Sequence, residues 1–238
     1  MKVGIIAAGE GSRLKRDGVS VLKPLVRVDG TPILERLLLQ YHSIGISDAY
    51  CIINDASLAV KEYIEQLNLP IPVHFHVKTT ESSMHSLFEL GQYLRDDHFL
   101  LSTVDSIFDT DELVGFMKVA RTERSEGLLA VTQSAEDDNP LWVELDSSNR
   151  ILAFRKPASG DLLVTGGLYF FSPRIFHEES VALSQKITRL RNFLGFLIEK
   201  GYTLRAHKFR KMVDLDHVED IQLAENFLHT IGSERATA

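Results

Sequence analysis

The chain has 238 residues, 44% of them hydrophobic and 25% charged, which is enough apolar material for one sizeable core. A formal net charge of −7 weighs against a general binder of nucleic acid or of anionic membranes. One cysteine rules out an internal disulfide and fits a reducing compartment, and no apolar run approaches the roughly 18 residues of a membrane span. With no signal-peptide pattern at the N-terminus, these features predict a cytoplasmic protein.

In chain order, KVGIIAA (2–8) reads as a buried strand that runs out into Gly9 and Gly11. TPILERLLLQYHSIG (31–45) reads as a helix. Thr31 is the expected cap, Pro32 fits the first turn, and Ile33, Leu34, Leu37, Leu38 and Tyr41 form an apolar stripe at helical spacing. AYCIIN (49–54) is a strand, so Cys51 is expected to be a buried, inert thiol. A helix over 57–67, a strand over 73–77, a helix over 83–94, a strand over 98–104, a helix over 110–123 and a strand over 127–133 follow. Alternating strands and helices predict a three-layer, Rossmann-like α/β fold, with a mostly parallel sheet and helices on both faces.

The pattern changes after about residue 134. LWVELDSSNRILAFRK (141–156) reads as a hairpin turning at Ser147 to Asn149, with Trp142 packing on it. GGLYFFS (166–172) and YTLRAHKF (202–209) read as strands, with two helical segments between them. A last helix is expected from about 217 to 231, and the tail GSERATA is expected to fray. No repeat or long linker divides the chain, so one domain is expected over 1–238. His74 and His76 share a strand face, but the nine histidines form no zinc pattern.

Gly9 and Gly11 sit where a phosphate-binding turn would need close approach of backbone N–H groups. The spacing is neither a dinucleotide fingerprint, because Leu14 holds its sixth position, nor a P-loop. Residues 1–30 carry six basic side chains (Lys2, Arg13, Lys15, Arg16, Lys23, Arg27) against three acidic ones, which suits a small anionic ligand. An arginine fork at Arg13 and a lysine point charge at Lys23 are the groups a triphosphate needs.

AAGEGSRL (7–14) followed by KPLVRVDGTPIL (23–34) resembles the signature of nucleotidyltransferases that join a nucleoside triphosphate to a sugar 1-phosphate or a related phosphate, with some likeness to choline-phosphate cytidylyltransferases. The resemblance implies the nucleotide-diphospho-sugar transferase type of fold. It also implies a nucleotide-binding part over 1–134, an acceptor-binding part over 135–211 and a last metal turn with the C-terminal helix over 212–238. By that resemblance Ala8 and Gly9 hold the base and ribose, Gly11, Ser12 and Arg13 the β- and γ-phosphates, and Lys23 the α-phosphate, with Arg13 and Lys23 the catalytic pair. KRDGVSV (15–21) departs from the Pro-Leu-Thr that often follows the arginine in this family.

Asp105 ends the strand FLLSTV, and ligands of open α/β sheets sit beyond such strand ends. An aspartate there suits Mg²⁺, which prefers a few carboxylates together with phosphate oxygens and water. The resemblance makes Asp105 and Asp214 the metal ligands. Asp216 and Glu219 have capping-box spacing, so Asp216 is expected mainly to cap, with the two aspartates exchangeable in role. Asp109 is expected to cap its helix. Ser82 and Ser83 replace the family's Gly-Thr near the base and could instead cap their own helix. Arg155, Lys156, Thr165 and Gly167 match the acceptor segment. Arg155 stands where the family has glutamate, and it either favours a more anionic acceptor or points to solvent from the hairpin.

These residues predict a Mg²⁺-dependent enzyme that moves a nucleoside monophosphate from a nucleoside triphosphate to a small phosphorylated acceptor and releases pyrophosphate. The alternatives are a phosphocholine-type cytidylyltransferase and a nucleotide-sensing module without turnover. Neither nucleic acid nor a membrane is an expected partner.

Overall fold

In the computed structural model, which describes residues 1–123, 125–133, 140–157 and 160–237, the first strand is buried from Val3 to Ala7. Strand periodicity sends Val3, Ile5 and Ala7 to one face and Ile6 to the other, and each face meets its own hydrophobic core. The elements in order are β1 (Lys2–Ala7), α1 (Ser12–Arg16), β2 (Arg27–Val28), β3 (Thr31–Pro32), α2 (Ile33–Ser43), β4 (Asp48–Ile53), α3 (Leu58–Gln66), β5 (Val73–Val77), α4 (Ser83–Leu94), β6 (Phe99–Thr103) and β7 (Ser106–Phe108). They continue with α5 (Thr110–Thr122), β8 (Gly127–Gln133), β9 (Trp142–Leu145), β10 (Ile151–Ala153), β11 (Leu163–Phe171), α6 (Glu179–Ser184), α7 (Leu190–Glu199), β12 (Leu204–Lys208), β13 (Met212–Asp214) and α8 (Val218–Thr237).

Nine strands form the main sheet, in which β6, β1, β4 and β5 run parallel and β12 runs parallel to β8. β11 lies antiparallel between these two blocks, pairing β8 on one side and β9 and β6 on the other. Helices α2, α3 and α5 cover one face through Leu37, Val60 and Phe116, and α4, α6 and α7 cover the other through Leu87, Ala182 and Phe193. The predicted stripe of α2 is realised in full, with Ile33, Leu34, Leu37, Leu38 and Tyr41 all 0% exposed. Cys51 is buried, and burial pushes its thiol pKa well up.

A smaller layer lies at the edge that carries the candidate site. β7 and β13 form an antiparallel ribbon whose register sets Asp214 opposite Ser106, and α8 packs on it through Ala224 against Ile107, Val213 and Leu215. The expected hairpin is present, with Asn149 at φ 61 in its turn.

Two local expectations are corrected. Thr31 does not cap α2. It pairs with Val28 in the two-residue ribbon β2–β3, and Pro32 takes the cap position without a side-chain bond. The tail does not fray at 231, because α8 runs on to Thr237. Arg235 pairs there with the buried Asp109 and with Asp111, and Glu234 pairs with Arg210. Asp109 also caps α5 as expected, accepting from the Asp111 amide at 3.0 Å. The expected boundary at 134–135 lies outside the described residues. Among the described residues, no helix is long and apolar enough to cross a membrane.

Candidate active site

The site forms where β1 and β6, neighbours in the sheet, both release the chain at their C-terminal ends. After β1 the backbone passes Gly9 and enters Gly11 at φ 60, a left-handed conformation that glycine adopts without strain. A Cβ at Gly11 would also stand 3.2 Å from the Lys23 Cβ, so this glycine lets the loop lie against the lysine stem. Helix α1 then presents Arg13, and a 3-10 turn over Lys23–Leu25 presents Lys23. Asn54, at the end of β4, donates from Nδ2 to the Ala8 carbonyl at 2.9 Å and fixes the start of the loop.

Asp105 occupies the turn between β6 and β7, tied to the far ribbon by the Leu215 amide, which donates to its carbonyl at 3.0 Å. The β7–β13 register brings Asp214 beside it, where the Ser106 hydroxyl donates to Asp214 Oδ1 at 2.8 Å. Lys23 Nζ donates to Asp105 Oδ2 at 2.7 Å and to Asp216 Oδ1 at 2.9 Å, and Arg13 pairs with the other oxygen of Asp216. Residues 13, 23, 105, 214 and 216, drawn from across the chain, thus form one cluster.

Its charges perturb one another. Burial lowers the Lys23 pKa, but the carboxylates of Asp105 and Asp216 outweigh it, and the net shift is upward, so the ammonium stays charged. Burial acts to raise the Asp105 pKa, yet the Lys23 charge and hydrogen bond leave it below the ordinary carboxylate range. Desolvation by the surrounding protein, and then the Asp105 charge, push the Asp214 carboxyl up, although its edge opens to the water of the cleft. Three carboxylates here face two cations.

Two cavities meet at the cluster. One, of about 370 Å³, is lined by Gly9, Gly11, Ser12, Arg13, Lys23, Ser83 and Asp105. The other, of about 510 Å³, is lined by Thr132, Gln133, Thr165, Gly166, Lys211 and Asp214 among others. Arg13 and Asp216 line both.

Several expected site residues lie elsewhere or act differently. Asp216 does not cap α8. The Asp220 carboxylate turns back to accept from the Asp216 and His217 amides at 2.8 and 2.6 Å, Asp17 accepts from the Val218 amide at 3.3 Å, and the Asp216 carboxylate bridges the two cations instead. The hydroxyls of Ser82 and Ser83 do not cap α4, although Ser83 lines the glycine-loop cavity. They accept from the amides of Arg189 and Leu190 at 3.0 and 2.9 Å and tie α4 to the start of α7. Arg155 is outside both cavities. Its side chain is 71% exposed, and its Nε donates to Glu144 across the hairpin at 2.6 Å. Lys156 stands with its ammonium 5.6 Å from the centre of the Trp142 ring, on the same hairpin. Gly167 does not line the acceptor-side cavity. It backs onto Thr103 and Ser106, at φ 72.

Sequence reasoning missed the bridging role of Asp216, the supports from Ser106 and Asn54, and the place of Lys211 in the larger cavity. For Asp216 a signal existed in the DLD spacing, since residues two apart on an extended segment share a face.

A three-layer α/β sheet with a glycine turn, a basic pair and carboxylates at its strand ends has the fold of the nucleotide-diphospho-sugar transferases. Residues 3–165 match the MobA-like NTP transferase domain, and the chain belongs to that family. The D-glycero-alpha-D-manno-heptose 1-phosphate guanylyltransferase of Campylobacter jejuni is 24% identical over 231 residues, which cover 96% of this chain and 98% of the relative. The UTP–glucose-1-phosphate uridylyltransferase AglF of Haloferax volcanii is 25% identical over 238 residues, 96% of each. Among solved structures, the inositol-1-phosphate CTP transferase from T. maritima shares the fold, with a TM-score of 0.78 at 18% identity and 94% of both chains covered.

Proposed function

We propose that this chain transfers a nucleoside monophosphate from a nucleoside triphosphate to the phosphate of a sugar 1-phosphate or a similar acceptor. A phosphate oxygen of the acceptor attacks the α-phosphorus, the bond from that phosphorus to the bridging oxygen breaks, and pyrophosphate leaves with the electron pair. The acceptor oxygen is already ionised near neutrality, so no general base is required. The observation that carries this reading is the pair of cavities joined at one charged cluster, with Arg13 and Asp216 common to both walls. Two substrates can therefore meet at Arg13 and Asp216, beside Lys23 and Asp105. The named activities of the two relatives, each on a 1-phosphate, support it.

In this reading the glycine-loop cavity takes the triphosphate. Ala8 and Gly9 face the nucleoside, Gly11, Ser12 and Arg13 hold the β- and γ-phosphates, and Lys23 holds the α-phosphate, where the rising charge on the transferring group strengthens the contact. The larger cavity takes the acceptor, with Thr165 in its wall. The donor set fits a hard divalent cation: Asp105 and Asp214 stand side by side at the β7–β13 ribbon, and desolvation together with the Asp105 charge destabilises the Asp214 carboxylate, which a cation would relieve. Asp105 and Asp214 would hold Mg²⁺, which when bound supplies charge neutralisation at the reacting phosphates. Lys23 and Arg13 orient the phosphates for in-line displacement, and the cavity walls limit competing water.

Pyrophosphate release from each of the four nucleoside triphosphates, measured against a panel of sugar 1-phosphates and phosphocholine with and without Mg²⁺, tests the reading. The expected result is release that needs both substrates and the metal and yields a nucleotide-linked sugar. Triphosphate binding without release on any acceptor would instead mark a nucleotide-sensing module.

A further inference from the structure

We infer that Lys211 selects the acceptor by binding an anionic group at the end remote from its reacting phosphate. The inference rests on the reading above for the use of the larger cavity. It begins with the basic side chains that line that cavity: Arg13, Arg210, Lys211 and His217. Arg13 is held by Asp216. Arg210 is surrounded by carboxylates, with Glu234 at 3.1 Å, Asp109 at 3.4 Å and Glu112 at 3.7 Å. His217 Nδ1 lies 3.0 Å from Asp17 Oδ2. Lys211 pairs with no carboxylate among the described residues. Its ammonium lies 5.8 Å from the centre of the Phe227 ring, a contact that orients it without neutralising it.

Position along the chain says which part of an acceptor it meets. Lys211 immediately precedes β13, whose last residue is Asp214. Three residues of extended chain separate the two by about 10 Å. Alternation along the strand points the two side chains to opposite faces, but both line the one cavity, so an acceptor with its phosphate near Asp214 that reaches around the strand's edge brings its other end to Lys211. Leu162, Val164 and Met212 line the same space and give it an apolar stretch beside that charge. An ammonium with no carboxylate partner on such a wall favours a carboxylate or a second phosphate over a neutral hydroxymethyl group.

The test measures equilibrium binding of glucose 1-phosphate and glucuronic acid 1-phosphate by calorimetry, on the full chain with Mg²⁺ and a non-hydrolysable triphosphate. The wild type is expected to bind the glucuronate about 10-fold more tightly, the worth of one charge-assisted contact. Lys211→Ala should bring the ratio close to one, Lys211→Glu should invert it, and Lys211→Arg should keep it. Triphosphate affinity should stay at the wild-type value in all three, which also reports that they fold. Equal binding of the two sugars by the wild type, a ratio that Lys211→Ala leaves untouched, or no binding of either sugar would overturn the inference. A Lys211-dependent ratio without pyrophosphate release would uphold the selection and overturn nucleotidyl transfer, so the two can fail separately.

Discussion

Gly167 lets the Asp105 turn pack closely against β11 by having no side chain. An alanine Cβ there would stand 2.3 Å from Thr103 Oγ1 and 2.4 Å from Ser106 Oγ, and φ is 72, which an alanine adopts only with strain. The backbone strain costs about 1–2 kcal/mol and the overpacking about 1–3 kcal/mol, so Gly167→Ala should lose about 3 kcal/mol. For a domain of this size that corresponds to a fall of roughly 6–12 °C in Tm. Thr103 and Ser106 flank Asp105, and Ser106 donates to Asp214, so relief of the clash must move both carboxylates. A displacement of about 1 Å there should lower pyrophosphate release about 10²-fold. Gly166→Ala is the control: its Cβ would meet the Met212 Sδ and Cε at 2.2 and 2.7 Å, the end of a flexible side chain that can swing away. Thermal melts and steady-state turnover on both variants decide the matter. If Gly167→Ala kept the wild-type Tm and raised only the acceptor KM, the glycine would be an acceptor contact and the packing explanation would fail.

Lys23→Met leaves Asp105 and Asp216 without their shared cation. It should cost about 2 kcal/mol, below the loss for a fully buried pair because the carboxylates touch water, and Mg²⁺ should raise its Tm more than that of the wild type. Equal Mg²⁺ shifts in both proteins would remove the metal from this cluster. Asp105→Asn should lower turnover at least about 10²-fold while moving Tm less than Lys23→Met, since Asp216 still holds the lysine; near-normal turnover would release Asp105 from its assignment. Arg155→Glu should leave acceptor preference as it is and lower Tm slightly by setting like charges together at Glu144; a changed preference would contradict its place outside the cavity. Cys51, 0% exposed with its thiol pKa pushed up, should resist an aromatic disulfide reagent at pH 8 until urea unfolds the chain, and rapid labelling of the native protein would count against that burial.

The fold was legible where the sequence carries long apolar periodicity. β1, β4, β6 and α2 read directly because five or six consecutive residues, or a full stripe such as Ile33 to Tyr41, repeat one pattern. β2, β3, β7 and β13 are two or three residues long, too short for any period, and their pairing is set by tertiary contacts. The same limit hid the end of α8. Its last turn is held by Arg235 on Asp109, a partner 126 residues away, and local composition reads only as a polar tail. In the site, Gly11, Arg13, Lys23, Asp105 and Asp214 stood out because they follow apolar strands or sit in a motif. Arg155 and Lys156 also sat in a motif, yet the hairpin gave each a nearer partner, Glu144 and the Trp142 ring.

Asp216 shows why local spacing misled. Its position relative to Glu219 fits a capping box, but Asp220 takes the Asp216 and His217 amides and Asp17 the first amide of the helix. Freed of that duty, its two oxygens face Lys23 and Arg13, from segments 193 and 203 residues away. Arg and Lys side chains each lose about 2 kcal/mol of rotamer entropy when fixed. Because Asp216 already fixes both at the junction of the cavities, that entropy is lost on folding rather than when phosphates arrive. On the proposed reading the phosphates then compete with Asp216 for cations already in position. The cost of this arrangement is affinity, since each new contact replaces an existing one. What it gains is geometry: Arg13 and Lys23 stand on one wall, at a fixed separation, before either substrate enters.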